Sequence, residues 1–196
     1  MPDVFISGSA IGFYGESKER EFSETDAVGR GFSAELCRDW EASVSNIGSE
    51  STRYVLLRTG VVLDRALGAY PQMTKSFRFG LASWMGQGDH WLSWIHLADM
   101  VGAVMHCIQN EAVSGPVNMT APNPVTHRSF SGEVRNATTT LVGMGVPGWV
   151  MRLMVGEMAD ELLLTGQRVM PTKLLSTGYQ FCFGDLKDAI ADLEAR

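Results

Sequence analysis

The run Val4-Phe5-Ile6, breaking at once into Ser7, Gly8 and Ser9, constrains this chain most. An apolar run that ends in small residues reads as a buried parallel strand feeding a tight loop. A second such run, Tyr54-Val55-Leu56-Leu57-Arg58-Thr59-Gly60-Val61-Val62-Leu63, reads as its neighbour. Between them Phe32, Leu36, Trp40 and Val44 recur every four residues, the mark of an amphipathic helix whose stripe is expected to pack on the sheet. Strand, helix and strand in that order make a βαβ unit and an α/β fold. Residues 16–31 and 46–52 are polar connectors. Residues 64–94, rich in glycine and aromatics, read as a long surface connection of the kind that lines pockets. Trp94-Ile95-His96 is a short extended piece. Met100, Val101, Val104, Met105 and Ile108 then mark a helix face, with Asp99 in the first turn where a carboxylate suits the helix dipole. Residues 117–121 make a short strand. Thr126 caps a helix carrying Phe130 and Val134, and Pro147 opens another through Trp149, Met151 and Met154. Leu186, Ala189, Ile190 and Leu193 form a terminal helix.

A chain of 196 residues can bury one substantial core. Its 16 basic against 22 acidic residues leave a net charge of −6, which repels phosphate backbones and anionic lipid. Small molecules are therefore the expected partners, not nucleic acid or membrane. Cys37, Cys107 and Cys182 form no CxxC pair, and an odd count suits a reducing compartment, so the cytosol is the expected location. His90, His96, His106 and His127 stand at no metal-ligand spacing, so no metal site is expected.

Gly8, Gly12 and Gly15 follow the first strand, yet no amphipathic helix opens after Gly15 and no strand ending in an acidic residue follows, as a dinucleotide fingerprint requires. They read as structural turn glycines or as a small-residue loop beside a ligand. Ser7, Ser9 and Tyr14 lie beyond the strand's C-terminal end, where α/β sheets place ligands. Their hydroxyls either orient a carbonyl or sugar hydroxyl or satisfy the turn. Gly60, inside a β-branched run, marks a ligand contact or a packing contact, and Arg58 a structural charge or a phosphate ligand.

Taken in order, ISGSAIGFYG, LRTGVVL, WIHLADM and the tail TGQRVMPTKLLSTGYQF resemble the atypical extended short-chain dehydrogenase/reductases of the YfcH-like epimerase family. The resemblance implies the C-terminal part of a Rossmann-type parallel sheet with a small α-rich substrate lobe. Residues 1–64 would be a partial NAD(P)-binding region, and residues 65–196 the substrate lobe with the family's own C-terminal domain. It also implies that the chain spans roughly the last two-thirds of such a protein, without the first βα units and their TGGTGLIG-like pyrophosphate loop. NADP binding is then expected only with that segment restored, and the bare strand edge at residues 4–6 is a route to homo-oligomers. By the same resemblance Ser7, Gly8, Arg58, Thr59, Gly60 and Val61 contact the cofactor and Ser9 orients the reacting carbonyl, while Tyr14, the only phenol near Ser9 in the sequence, is the candidate acid.

The superfamily's Tyr and Lys positions, counted back from the glutamate matched by Glu41, fall on Ser33 and Cys37, and neither can replace a phenol or a fixed cation. Cys37, next to Leu36 on the apolar stripe, is expected to be a buried, inert thiol. Where relatives carry GLGGPIG this chain reads GLASWMG, adding bulk beside the substrate pocket. The implied function is an NAD(P)-dependent epimerase or oxidoreductase for a sugar-nucleotide-like or small carbonyl substrate. The alternative is a catalytically silent ligand-binding or protein-interaction module on the same fold.

Overall fold

The first apolar run becomes β1 (Val4–Ala10) and the polar stretch after it contributes β2 (Glu21–Phe22). The computed structural model describes residues 2–45, 52–138, 140, 142–146 and 166–195. The predicted helix is α1 (Phe32–Ser45), and the second run divides into β3 (Arg53–Thr59) and β4 (Val61–Leu63). Residues 64–94 are not a bare connection. They hold α2 (Ala69–Met73), a 3-10 turn at Lys75–Phe79, β5 (Leu81–Met85) and β6 (Trp91–Leu92). β7 (Trp94–His96), α3 (Leu97–Gln109), β8 (Gly115–Met119), β9 (Val125–Thr126) and α4 (His127–Ala137) follow. β10 (Val142–Val146), β11 (Arg168–Val169), a short turn of helix at Thr172–Ser176 and the terminal helix Leu186–Glu194 complete the described elements. The helix expected from Pro147 lies outside the described residues.

β1, β3 and β8 form a parallel sheet with β3 in the middle. Ser7 stands opposite Leu56 and Ser9 opposite Arg58, so the period-two alternation gathers these four on one face. Ile6, Val55 and Leu57 occupy the other. α1 covers the first face, where Trp40 Nε1 donates to Ser7 Oγ at 3.1 Å and Ser9 Oγ to Glu41 Oε1 at 2.7 Å. α3 covers the second, packing Ala103 and Cys107 with Val55, Leu57 and Val117. The sheet is thus wound on both sides, as an α/β Rossmann-type fold requires. Among the described residues β1 pairs only with β3, and its outer edge is open.

The break at Gly60 has a steric cause. A Cβ there would sit 2.5 Å from the Ser93 carbonyl oxygen and 2.9 Å from Thr120 Cγ2. The missing side chain lets the strand cross close to Ser93, and β4 leaves the main sheet to pair with β7. Gly60 N–H still donates to the Met119 carbonyl, while Val61 N–H already donates to that of Ser93.

Of the expected α1 stripe, Val44 is buried as expected and the other three residues are not. Ala34, Glu41 and Val44 are buried, whereas Phe32, Leu36 and Trp40 are exposed, Trp40 by 57%. Residues 34, 37, 41 and 44 recur at the same helical period as the apolar stripe, turned about 100° from it, and Glu41 sits inward because Arg58 lies beneath it. The same holds on α3, where Met100 and Val104 pack inward but Val101, Met105 and Ile108 are exposed. Asp99 is fully buried and accepts from the Cys182 and Phe183 N–H groups, both at 2.8 Å, and from Tyr179 Oη at 3.1 Å. His96 Nδ1 accepts from Ala98 N–H and caps α3. The WIHLADM segment therefore anchors the C-terminal tail. Thr126 caps α4 as expected, with Phe130 and Val134 buried, and Leu186, Ala189, Ile190 and Leu193 of the terminal helix pack into the same core.

Candidate functional site

A cavity of about 780 Å³ opens where β1 and β3 end. The turn after β1 supplies Ala10, Ile11 and Gly12, and the switch from β3 to β4 supplies Thr59, Gly60 and Val61. Phe32, Ser33, Leu36 and Cys37 of α1 form one side. Met73, Met85, Trp91 and Leu92 form the opposite wall, where His90 and His127 stand together. Strand C-termini in a parallel sheet are the expected place for a ligand.

Of the residues expected to touch a cofactor, Thr59, Gly60 and Val61 line this cavity, while Ser7, Gly8 and Arg58 do not. The expected catalytic pair, Ser9 and Tyr14, is also absent from its wall. Both belong to a buried polar network beside it. Arg58 Nε and Nη2 donate to the two carboxylate oxygens of Glu41 at 2.9 and 2.8 Å. Its Nη1 donates to Tyr14 Oη at 2.9 Å, and its guanidinium lies 3.4 Å from the Phe13 ring centroid. Tyr14 Oη in turn donates to Asn118 Oδ1 at 2.6 Å. Asn118 Nδ2 continues the network to the Met170 carbonyl, and Glu24 accepts from the Asn118 and Lys173 N–H groups. Arg58 thus commits its guanidinium to this network and is not among the residues that line the cavity. Burial pushes the Tyr14 phenol above its ordinary pKa, against the pull of Arg58, which disfavours its ionisation.

Cys37 departs from the buried thiol expected of it, being half-buried in the cavity wall because the stripe it borders faces outward. Ser33 stands in the same wall, so the positions assigned to the superfamily's Tyr and Lys do face the ligand space. Sequence spacing gives no sign that His90 and His127, 37 residues apart, are neighbours. Backbone pairing joins them: β6 runs antiparallel to β9, and His127 N–H donates to the His90 carbonyl at 3.0 Å. Their ring centroids lie 4.9 Å apart. Burial lowers the pKa of His90 and takes that of His127 down to about 4, so both are neutral at pH 7. Among the described residues no group of three His, Cys, Asp or Glu side chains could hold a metal ion, and no helix is long and apolar enough to cross a membrane.

Residues 146–193 match a family model described as a domain of unknown function, DUF1731. An epimerase family protein of Mycobacterium leprae is 38% identical over 188 residues, covering 96% of this chain and 61% of that protein. The mouse epimerase family protein SDR39U1 is 35% identical over 196 residues, covering 99% of this chain and 66% of that one. The crystal structure of human epimerase family protein SDR39U1 (isoform 2) with NADPH superposes with a TM-score of 0.93 at 31% identity, over 98% of this chain and 65% of that one. The chain spans less than two thirds of the length of the Mycobacterium leprae protein.

Proposed function

We propose that this chain, which is similar to the epimerase family proteins, is of the short-chain dehydrogenase/reductase type and that its cavity holds the nicotinamide end of NADP beside a substrate. The reaction would be oxidoreduction or epimerisation of a sugar-nucleotide-like or small carbonyl compound. The observation that carries this reading is the meeting of residues 10–12 and residues 59–61 around one cavity at the ends of parallel strands. Bound there, the nicotinamide supplies hydride exchange with a substrate carbon.

The described residues fit only part of such a cofactor. Ile11, Gly60 and Val61 offer an apolar wall for a flat ring, but no Lys or Arg among the described lining residues could meet a pyrophosphate. In this proposal a further segment carries the phosphate loop. Three surfaces support its docking beside β1. The outer edge of β1 is unpaired among the described residues, Phe32, Leu36 and Trp40 are exposed on one face of the sheet, and Val101, Met105 and Ile108 are exposed on the other. Further βα units would extend the sheet and cover both stripes. A Cβ on Gly8 would meet nothing within 4 Å, so that glycine leaves room on the same side.

Ser9 and Tyr14 are assigned positioning roles in this reading. Ser9 donates to Glu41 of α1 and Tyr14 accepts from Arg58 of β3, and together they fix the wall that carries Ser33 and Cys37. Because those two residues stand where a phenol and a cation would exchange and stabilise a proton, a catalytically silent binding module is the second reading.

The test is titration calorimetry with NADPH. One arm uses the purified 196-residue chain, and the other a chimera in which the N-terminal third of human SDR39U1 precedes Met1. Binding by the chimera alone is expected. Equal binding by both, or by neither, would overturn the shared-site reading.

A further inference from the structure

His127 is the least explained residue of the cavity. It is only 5% exposed, and neither ring nitrogen has a hydrogen-bond partner among the described residues. A buried imidazole without partners is costly, and a native protein keeps one where something else meets it. His127 lines the cavity beside His90, which is also buried, and the strand pair β6–β9 holds both rings in place.

The rest of the wall says what that partner is. Apart from the two histidines, the described lining is largely apolar, with Ile11, Val61, Met73, Met85, Trp91 and Leu92 prominent. Glu16 is its one charged side chain among the described residues. A diphosphate entering this space would lose water and gain no cation from the described residues, while facing the Glu16 carboxylate. A neutral imidazole instead offers one N–H donor and one bare nitrogen acceptor, the pair that a hydroxyl satisfies both ways and a carbonyl satisfies once.

We propose that His127, backed by His90, is the polar anchor that recognises an uncharged carbonyl or hydroxyl group on an otherwise apolar substrate, and that sugar nucleotides are excluded from this cavity. The assignment rests on the proposed function in taking this cavity as the substrate site, and it narrows the substrate class to small, uncharged carbonyl compounds and the corresponding alcohols.

The probes are 4-phenylbutan-2-one and UDP-glucose, titrated without cofactor into the chain labelled with ¹⁵N-histidine. Imidazole nitrogen shifts report hydrogen bonding at each ring directly. The ketone is expected to shift the His127 resonances saturably, and UDP-glucose to leave them unmoved. His127→Phe should weaken ketone binding about tenfold, the loss of one buried hydrogen bond, and His127→Gln, which keeps a donor and an acceptor, should bind within about threefold of the parent. A ketone titration without saturable shifts overturns the proposal, as does tighter binding of UDP-glucose or undiminished binding in His127→Phe. The wild-type shifts decide the matter even if a variant does not fold. Ketone binding without NADPH binding by the chimera would remove the cofactor reading and leave this site standing, whereas the reverse result would remove the site alone.

Discussion

Glu41→Ala tests the network on which the cavity wall rests. Glu41 accepts two hydrogen bonds from Arg58 and a third from Ser9, with Arg58 and Glu41 both buried. Removing the carboxylate leaves the guanidinium in a dry site with one hydroxyl partner, Tyr14, and the Phe13 ring face. Breaking a buried pair on one side costs about 3–5 kcal/mol, because an uncompensated charge remains. With a urea m-value of about 2 kcal/mol per molar, the unfolding midpoint should fall by about 2 M. Replacing both partners, Glu41→Ala with Arg58→Met, removes the orphaned charge and should recover a good part of that loss. Urea unfolding followed by far-ultraviolet circular dichroism measures all three proteins. A midpoint for Glu41→Ala within ~0.5 M of the parent would refute the reasoning, since a loss of ~1 kcal/mol is what an exposed pair gives. A double variant no better than Glu41→Ala would show that the cost is lost packing and not a stranded charge.

Folding stability should depend on pH through His127. Its folded pKa of about 4 lies below the ordinary 6.5 because burial, and secondarily the neighbouring His90, disfavour its charged form. The unfolded chain therefore takes up the extra proton, so stability is full above pH 6.5 and lost as pH falls toward 4, by ~3 kcal/mol at ~1.4 kcal/mol per pH unit. His90 adds in the same direction, offset by Asp89, which Lys18 partly neutralises. Melting curves from pH 4 to 7 should show this slope flattened in His127→Phe. Trp40→Ala should cost under about 1 kcal/mol in urea unfolding, since its ring is mostly exposed, whereas buried Phe130→Ala should cost about 3–5 kcal/mol. Gly60→Ala should destabilise by about 1–3 kcal/mol in the same measurement, because the added carbon meets the Ser93 carbonyl.

The βαβ order, the strands of the main sheet and the Thr126 cap were legible because each depends on local pattern, whereas β5 and β6 inside residues 64–94 were not. Thr126 ahead of Phe130 and Val134 is one such signal, realised as a capped helix with both apolar residues buried. Which side of a helix packs was not legible. Phe32, Leu36, Trp40 and Val44 share a face by spacing, but burial depends on what lies against that face, and the sheet met Val44 together with Ala34 and Glu41 instead of the other three. The site was half legible for a related reason. Thr59, Gly60 and Val61 follow from the end of a strand, while the Arg58 partnership crosses 17 residues to Glu41 and 44 to Tyr14. One signal did exist: a charge inside an apolar run needs a buried partner, and Glu41 is an acidic residue in the middle of an amphipathic helix. For His90 and His127 no local signal exists, since only the β6–β9 pairing brings them together.

The cavity between the ends of β1 and β3 is proposed to receive the nicotinamide ring. Intermolecular nuclear Overhauser effects in the chimera, with methyl-labelled Ile11, Val61 and Met73, test it most directly. These three side chains come from the β1 turn, the β4 start and α2, and all line the cavity. With NADPH bound, cross-peaks from the nicotinamide ring protons to the Ile11 and Val61 methyls are predicted. Saturating NADPH with no cross-peak to either methyl would contradict the account.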